Sequence, residues 1–510
     1  MDFKEKLTNI KKTKLKNDEK IGLILFAIGL IYLFIMSYIG LTRFGVWSDE
    51  IFTFSSVLMP FNDFIYGITT DVHPPLYYFI LKFFIKIFSF LQINNIMFIS
   101  KFVSLIPIYL LVILSATKIR KEFGLLCSGI FTLCITSMPQ LMIYGVEIRM
   151  YGFALLFMTA SLIYTYEIIK NSNLKNWAIL TILTICSAYT HYFSAMASGV
   201  LYLLLIAYIL YKNRQLVKYW IASSVLIILA YIPWLPSLKY QLTKVNTHYW
   251  IEAATFDSVI GYIYYVLSPV DYIIRGNEIT SPTILGTLLL IGIIAIIIYY
   301  LKGKKDLNGN FAIFSLLAFI LVPVVGLTIS VLFKPIFHVR YLVPILGLLW
   351  LGVSILLSKT YEIKKIFIPI LVVIMIVGVV GTSDFINIEN AELVETTEKN
   401  DVIHDVFGEN NIIIFDDYFL YYKNYVYYFS SHENILVGTD NASETIDFGV
   451  EVKNVLNRPE VQEKIANGSK VYFIDRYDPD YETCLKEGVE LKEVYVDEYD
   501  AYTAYEVILN

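Results

Sequence analysis

Charge is what this sequence has least of. Only 17% of its 510 residues are Asp, Glu, Lys or Arg, against about a quarter in soluble globular domains. With 57% hydrophobic residues and a mean hydropathy of +0.61, the composition excludes an ordinary water-soluble fold and reads as a polytopic membrane protein. Cysteine is scarce too. Cys127, Cys134 and Cys186 sit in apolar runs as small core residues, and Cys484 stands alone near the C-terminus. Their spacing suits neither a disulfide framework nor a zinc site. No internal repeat or low-complexity tract stands out, which argues against the repeated halves of many transporters. No small-residue cleavage site follows the first apolar run, so that run reads as a retained helix.

The charge that is present is unevenly spread. Residues 1–383 carry 31 Lys and Arg against 17 Asp and Glu, whereas residues 384–510 carry 9 against 28. Three regions follow: a basic N-terminus, 1–20; a membrane-embedded region, 21–383; and an acidic domain, 384–510. Apolar segments suited to span a bilayer fall at about 21–41, 102–117, 124–142, 150–169, 177–190, 192–211, 219–236, 283–301, 311–333, 341–358 and 366–383. The 177–190 segment is short. Leu76–Leu91 is also apolar, but Lys82 and Lys86 share one helical face, which predicts a helix lying in the interface.

The chain then crosses the membrane eleven times. The connections 118–122, 170–176, 212–218, 302–310 and 359–365 share a side with the N-terminal lysines, and together they hold 21 of the 40 Lys and Arg. Positive connections stay in the cytoplasm. The N-terminus is therefore expected inside and residues 384–510 outside. The expected fold is an α-helical polytopic plasma-membrane protein of about eleven transmembrane helices with a small extracytoplasmic C-terminal α/β domain. Strands are read at Asn411–Phe415 and Lys470–Ile474, ending in Asp416-Asp417 and Asp475-Arg476. A Tyr-rich piece, 259–274, broken by Pro269 and Asp271, reads as re-entrant or interfacial. Asn441 and Asn467 begin glycosylation sequons, a short and common pattern.

With this topology the remaining polar residues gather on one membrane face. The first external loop holds Asp49, Glu50, Asp71 and His73. The second holds Tyr144, Glu147, Arg149 and Tyr151, the third His191, and the fifth Lys334, His338 and Arg340. Ionisable groups at a membrane are costly and mark function by default. A carboxylate there can take a proton from an acceptor hydroxyl. Arg or Lys can neutralise a phosphate, both as ligand and as leaving group. A lipid-phosphate-linked sugar needs both, and a bilayer groove for its lipid. Plainer roles stand beside these. Pro74-Pro75 makes His73 part of a rigid turn; Arg340 can snorkel as an anchor; His191 can be a capped interface residue; Glu147 and Arg149 can pair with nearby charges.

The motifs are Asp49-Glu50 just after the first span, His73-Pro74-Pro75-Leu76-Tyr77-Tyr78, Tyr144-Gly145-Val146-Glu147-Ile148-Arg149-Met150-Tyr151, Thr190-His191-Tyr192 and Arg340-Tyr341-Leu342-Val343-Pro344. In their order and placement, over roughly residues 20–383, the chain resembles the membrane glycosyltransferases of the GT-C superfamily. The nearest group is the family 39-like one, with the dolichyl-phosphate-mannose–protein mannosyltransferases and the bacterial lipid A aminoarabinose transferases. The resemblance implies inverting transfer of a sugar from a polyprenyl- or dolichyl-phosphate donor to a hydroxyl on a glycan, lipid or protein acceptor. It maps the general base to Asp49 and an assisting acid to Glu147. Arg149, Lys334 and Arg340 are the donor-phosphate ligands expected on this reading, with Glu50, Asp71, His73, His191 and His338 binding substrate or supporting the site. Ile51-Phe52 follows the acidic pair where the aminoarabinose branch carries an arginine. Residues 384–510 lack the repeat signatures of protein mannosyltransferases, so the acceptor stays open. No soluble cofactor is required; a divalent cation on Asp49 and Glu50 is compatible, without diagnostic ligand spacing. The expected partners include membrane lipids and exclude nucleic acid. The rival reading is a transporter or lipid flippase without transferase activity, which would put polar residues near the bilayer midplane.

Overall fold

The computed structural model describes all residues except 1–14, 44, 46, 248–250, 252, 269–280, 416–432, 437–453, 476–488, 498–501 and 510. Two compact units emerge: Met1–Thr42 with Asn62–Ile388, and Arg43–Phe61 with Glu389–Asn510.

The first unit is a bundle of apolar helices. Among the described residues nine are long and apolar enough to cross a membrane: Asn17–Thr42, Ile96–Phe123, Tyr151–Lys170, Tyr192–Lys212, Arg214–Thr243, Pro282–Lys302, Leu307–Leu332, Val339–Lys359 and Lys364–Val394. Leu125–Ser137 and Pro139–Val146 are apolar enough together but bent by 63°, the geometry of a broken span or a re-entrant loop. Leu174–Thr190 has 17 residues and is the short segment of the sequence reading. Each of the eleven expected segments thus lies on helix, and the protein is an integral multi-pass membrane protein. Leu76–Phe90, with 15 residues, rises only about 22 Å, less than the ~30 Å hydrocarbon core of a bilayer.

Sequence dictates where these helices break. Pro139 lacks an N–H and occupies the first turn of its helix, and the preceding Met138 is extended at φ −70°, ψ 133°. A residue before proline is driven out of the helical region, so the span bends there. His191 and His338 start the helices that follow them. Each ring accepts through Nδ1 from a backbone N–H, that of Phe193 at 3.1 Å and that of Arg340 at 3.4 Å. Asn95, Asn173 and Asp306 cap other helices in the same way.

The interior centres on Leu346–Lys359, where every residue from Leu346 to Leu357 is buried. By contrast, Ile221, Leu226, Ile228 and Leu229 are bare, as befits a lipid-facing helix. The first helix approaches Leu125–Ser137 backbone to backbone: a Cβ at Gly129 would fall 2.1 Å from the Gly22 carbonyl oxygen. Such contacts drive helix association where lipid removes the hydrophobic incentive. Cys127 and Cys134 are buried and Cys186 half-buried.

In the second unit, β1 (Ile412–Phe415), β2 (Glu433–Leu436), β3 (Val471–Asp475), β4 (Val489–Asp497) and β5 (Tyr502–Leu509) form one sheet, in the order β2-β1-β3-β5-β4. β1 runs parallel to β2 and β3, and β5 antiparallel to β3 and β4. A strand covered on both faces reads as an unbroken apolar run, as β1 does. Ile412 and Ile414 pack with Val461 of helix Pro459–Ala466, and Ile413 and Phe415 pack with Phe407. The helix Ser48–Leu58 also belongs to this unit. Just ahead of it, Gly45 lies so close to Glu392 that a Cβ at position 45 would sit 2.5 Å from that of Glu392. Asn467 is exposed. Cys484, Asn441, Asp416-Asp417, Arg476 and the Pro269–Asp271 break lie outside the described residues.

Candidate active site

Four of the residues singled out in the sequence meet in the first unit: His73, Arg149, His191 and Arg340. All are nearly or fully buried, with exposures of 5%, 3%, 1% and 7%. Pro74-Pro75 holds His73 at the start of Leu76–Phe90, with its ring 5.6 Å from that of His191. His191 stands at the junction of two helices, and its ring packs against Tyr151 at 5.6 Å and Tyr341 at 5.1 Å. Arg340 opens the tight turn Val339–Ile345, its guanidinium 5.9 Å from the Tyr341 ring centroid.

A second chain of contacts reaches Asp71. The Tyr78 hydroxyl donates to Asp71 Oδ2 at 3.0 Å, and Arg149 Nη1 donates to the same hydroxyl at 3.5 Å. Tyr78 therefore relays the carboxylate to the buried guanidinium. Glu147, half-buried, ends Pro139–Val146, and its backbone carbonyl accepts from the Arg149 N–H at 2.7 Å. That turn sends two opposite charges from one short loop. His338 joins through Tyr341, ring to ring at 5.9 Å. Lys334 is half-buried on the segment leading to it.

The electrostatics of the cluster have one sign. Burial, then Arg149, His191 and Arg340, hold the His73 imidazole well below its ordinary pKa. Burial, then Arg149 and Arg340, push His191 down to about 3. Both rings are neutral at physiological pH. Because His191 Nδ1 accepts the Phe193 N–H, its proton is assigned to Nε2. That Nε2–H is buried and has no hydrogen-bond partner among the described residues. Two buried guanidinium groups and the His191 Nε2–H donor are thus gathered in one place.

Asp49 and Glu50 occupy the first turn of Ser48–Leu58, in the second unit. Carboxylates are favoured at a helix N-terminus. Glu50 is buried, and its carboxylate accepts the Trp47 N–H at 3.3 Å; it shapes the turn that carries Asp49. Asp49 is half-buried, and its carbonyl accepts from the Thr53 hydroxyl at 3.1 Å. Among the described residues no group of three or more His, Cys, Asp or Glu is arranged to hold a metal ion.

The sequence reading passed over several polar residues buried near this cluster. Gln241 donates to the carbonyl of Thr69 at 3.2 Å, two residues before Asp71. Gln140 and Ser268 are joined at 2.9 Å. Gln140 could have been noticed, since it is the one amide in the apolar 124–142 segment. An apolar cavity of about 390 Å³ lies between Phe256–Leu267, Ser281–Lys302 and Leu307–Leu332, lined by Tyr262, Val266, Ile293, Phe319, Pro323 and Leu342 among others.

No protein-family model and no curated protein matches the sequence. Solved structures do. ArnT from Cupriavidus metallidurans in the apo state superposes with a TM-score of 0.56 at 11% identity, over 95% of this chain and 97% of that one. The same protein bound to undecaprenyl phosphate gives 0.51 at 12% identity, with the same coverage. Archaeal oligosaccharyltransferase AglB from Archaeoglobus fulgidus, in complex with an inhibitory peptide and a dolichol-phosphate, gives 0.45 at 10% identity over 88% of this chain and 69% of that one. The chain thus shares the fold of ArnT from Cupriavidus metallidurans.

Proposed function

We propose that the protein is a membrane glycosyltransferase that moves a sugar from a polyprenyl- or dolichyl-phosphate donor to an acceptor hydroxyl, with inversion. The observation that carries this reading is the buried cluster of Arg149, Arg340 and the neutral His191 Nε2–H donor. A phosphate can accept from the His191 Nε2–H, which has no hydrogen-bond partner among the described residues, and is drawn to guanidinium groups. The apolar cavity, which counts Leu342 among its lining residues, suits part of an isoprenoid chain. The fold is shared with ArnT, whose structure was solved with undecaprenyl phosphate.

In the reaction, the acceptor oxygen attacks the anomeric carbon opposite the phosphate. The new C–O bond forms as the C1–O–phosphate bond breaks, and the electron pair leaves with the lipid phosphate. Asp49 is the base that takes the acceptor proton, assisted by Glu147. Arg149, Arg340 and Lys334 stabilise the leaving phosphate. His73, His191 and His338 line or support the phosphate site. Asp71 acts through Tyr78, and Glu50 through the turn before Asp49. The transfer takes place on the extracytoplasmic face. The N-terminus, 1–20, is cytoplasmic, 21–383 is the transferase domain, and the acidic domain, 384–510, is outside, where it can meet a glycan, lipid or protein acceptor.

The test is a proteoliposome assay with polyprenyl phosphates carrying labelled sugars and a membrane extract as acceptor. Label should move to acceptor with wild type and not with Asp49→Asn. A wild-type protein that scrambles labelled lipid between leaflets but transfers no sugar would favour the flippase reading instead.

A further inference from the structure

A second group of buried polar side chains adjoins the histidine–arginine cluster and has no part in the chemistry above. Gln140 and Tyr144, four residues apart, share one face of Pro139–Val146. Tyr265 and Ser268, three apart, share one face at the end of Phe256–Leu267. The two faces meet. Gln140 Nε2 donates to the Ser268 carbonyl at 2.9 Å, and the Tyr265 phenol lies within electrostatic reach of Tyr144, Glu147 and Tyr151. Among the described residues, Gln140 Oε1 and the hydroxyls of Tyr151, Tyr265 and Ser268 are all buried without a well-formed hydrogen bond. Each such atom costs about 1–3 kcal/mol, and native proteins carry few of them. Four in one patch are better explained by binding than by folding.

Their chemistry defines the ligand. The amide oxygen accepts, and the three hydroxyls both donate and accept. Sugar hydroxyls have the same two-way character. The rings of Tyr144, Tyr151 and Tyr265 add apolar faces for a sugar's C–H groups. All four orphaned atoms are uncharged, which suits an uncharged ring better than an amino sugar or a uronic acid. The patch is also in the right place. Tyr151 packs on Tyr144 at 5.0 Å and on His191 at 5.6 Å, so it joins the patch to the anion cluster. From Glu147 back to Gln140 is seven residues, about 10 Å at helical rise, the scale of one sugar residue.

We infer that Gln140, Tyr151, Tyr265 and Ser268 form the donor's sugar subsite and recognise an uncharged, hydroxyl-rich sugar such as a hexosyl group; this rests on the glycosyltransferase reading. The full chain in nanodiscs is titrated with a polyprenyl phosphate bearing a hexose, with one bearing an amino sugar, and with the bare polyprenyl phosphate. Wild type should bind the hexosyl lipid most tightly. Gln140→Leu and Tyr265→Phe should each weaken that binding about tenfold or more, the loss of one good hydrogen bond. Binding of the bare lipid phosphate should stay within about twofold. Tyr265→Phe keeps the ring and removes a hydroxyl that has the Tyr144 phenol as its hydrogen-bonding neighbour among the described residues, so its melting temperature should stay within a few degrees of wild type; a structural role would lower it further.

Equal losses for hexosyl and bare lipid, or no loss, overturn the subsite. Tighter binding of the amino-sugar lipid overturns the neutral-sugar assignment. If wild type transfers sugar while the variants keep wild-type selectivity, the subsite alone falls. If wild type binds the hexosyl lipid selectively but transfers nothing, the transferase reading falls and the subsite stands.

Discussion

His191→Phe separates the anion-site reading from a packing role. The native ring does two things with its nitrogens. Nδ1 accepts the Phe193 N–H at 3.1 Å, and Nε2–H is buried without a partner among the described residues. Phenylalanine keeps an aromatic ring among His73, Tyr151 and Tyr341 but loses both nitrogens. Losing the cap acceptor costs about 1 kcal/mol. Losing an unsatisfied buried donor returns about 1–3 kcal/mol. The two nearly cancel, so the ligand-free variant should melt within a few degrees of wild type. Binding should behave differently. A hydrogen bond to a charged phosphate is worth about 1.5–3 kcal/mol, so the dissociation constant for polyprenyl phosphate should rise about 10- to 150-fold. Native mass spectrometry or fluorescence competition in nanodiscs would measure it, with thermal unfolding alongside. A variant that folds and binds polyprenyl phosphate as wild type does would refute the assignment of this cluster to phosphate.

The same histidines predict a pH dependence. Their folded pKa values lie below the ordinary 6.5, with His191 at about 3. The unfolded chain therefore binds more protons than the folded one below pH 6.5. Stability should be complete above that pH and fall as pH drops toward 3, by up to about 1.4 kcal/mol per unit for each ring. Melting temperatures between pH 7.5 and 4.5 that rise on acidification would contradict this, and His191→Phe should flatten the slope. Gly129→Ala would put a Cβ 2.1 Å from the Gly22 carbonyl oxygen, where backbone faces backbone, so it should lose about 1–3 kcal/mol or more and much of its detergent-stable yield. Gly199→Ala, whose Cβ meets nothing within 4 Å, should be tolerated or gain up to about 1 kcal/mol. Gly45→Ala would collide with the Glu392 side chain within the second unit; turnover in the sugar-transfer assay should fall while polyprenyl-phosphate binding, assigned to the first unit, stays unchanged.

What the sequence disclosed follows from the range of the forces involved. Span positions are set by local composition, so the eleven segments were legible residue by residue; the break at Pro139 was not read, and 124–142 stood as one unbroken segment. β1 announced itself because a strand buried on both faces must be apolar throughout. The charged members of the anion cluster were also legible, since a buried Arg149 or Arg340 is too costly to be incidental. The sugar patch was not. Gln140, Tyr265 and Ser268 are common polar residues whose meaning depends on two helices, more than a hundred residues apart in sequence, presenting matching faces. Tyr265 was hidden further by abundance, being one of 40 tyrosines, most of which a membrane protein spends on packing and interfacial belts. The backbone contact at Gly22 and Gly129 was hidden for a related reason: a glycine in an apolar helix signals nothing until its partner is known. Glu50 shows the converse limit. Its pairing with Asp49 was visible, but its bond to the Trp47 N–H depends on a backbone turn that no spacing rule reveals. Charge and periodicity therefore locate the expensive parts of such a site, and tertiary geometry is needed for neutral groups such as those proposed to hold the sugar.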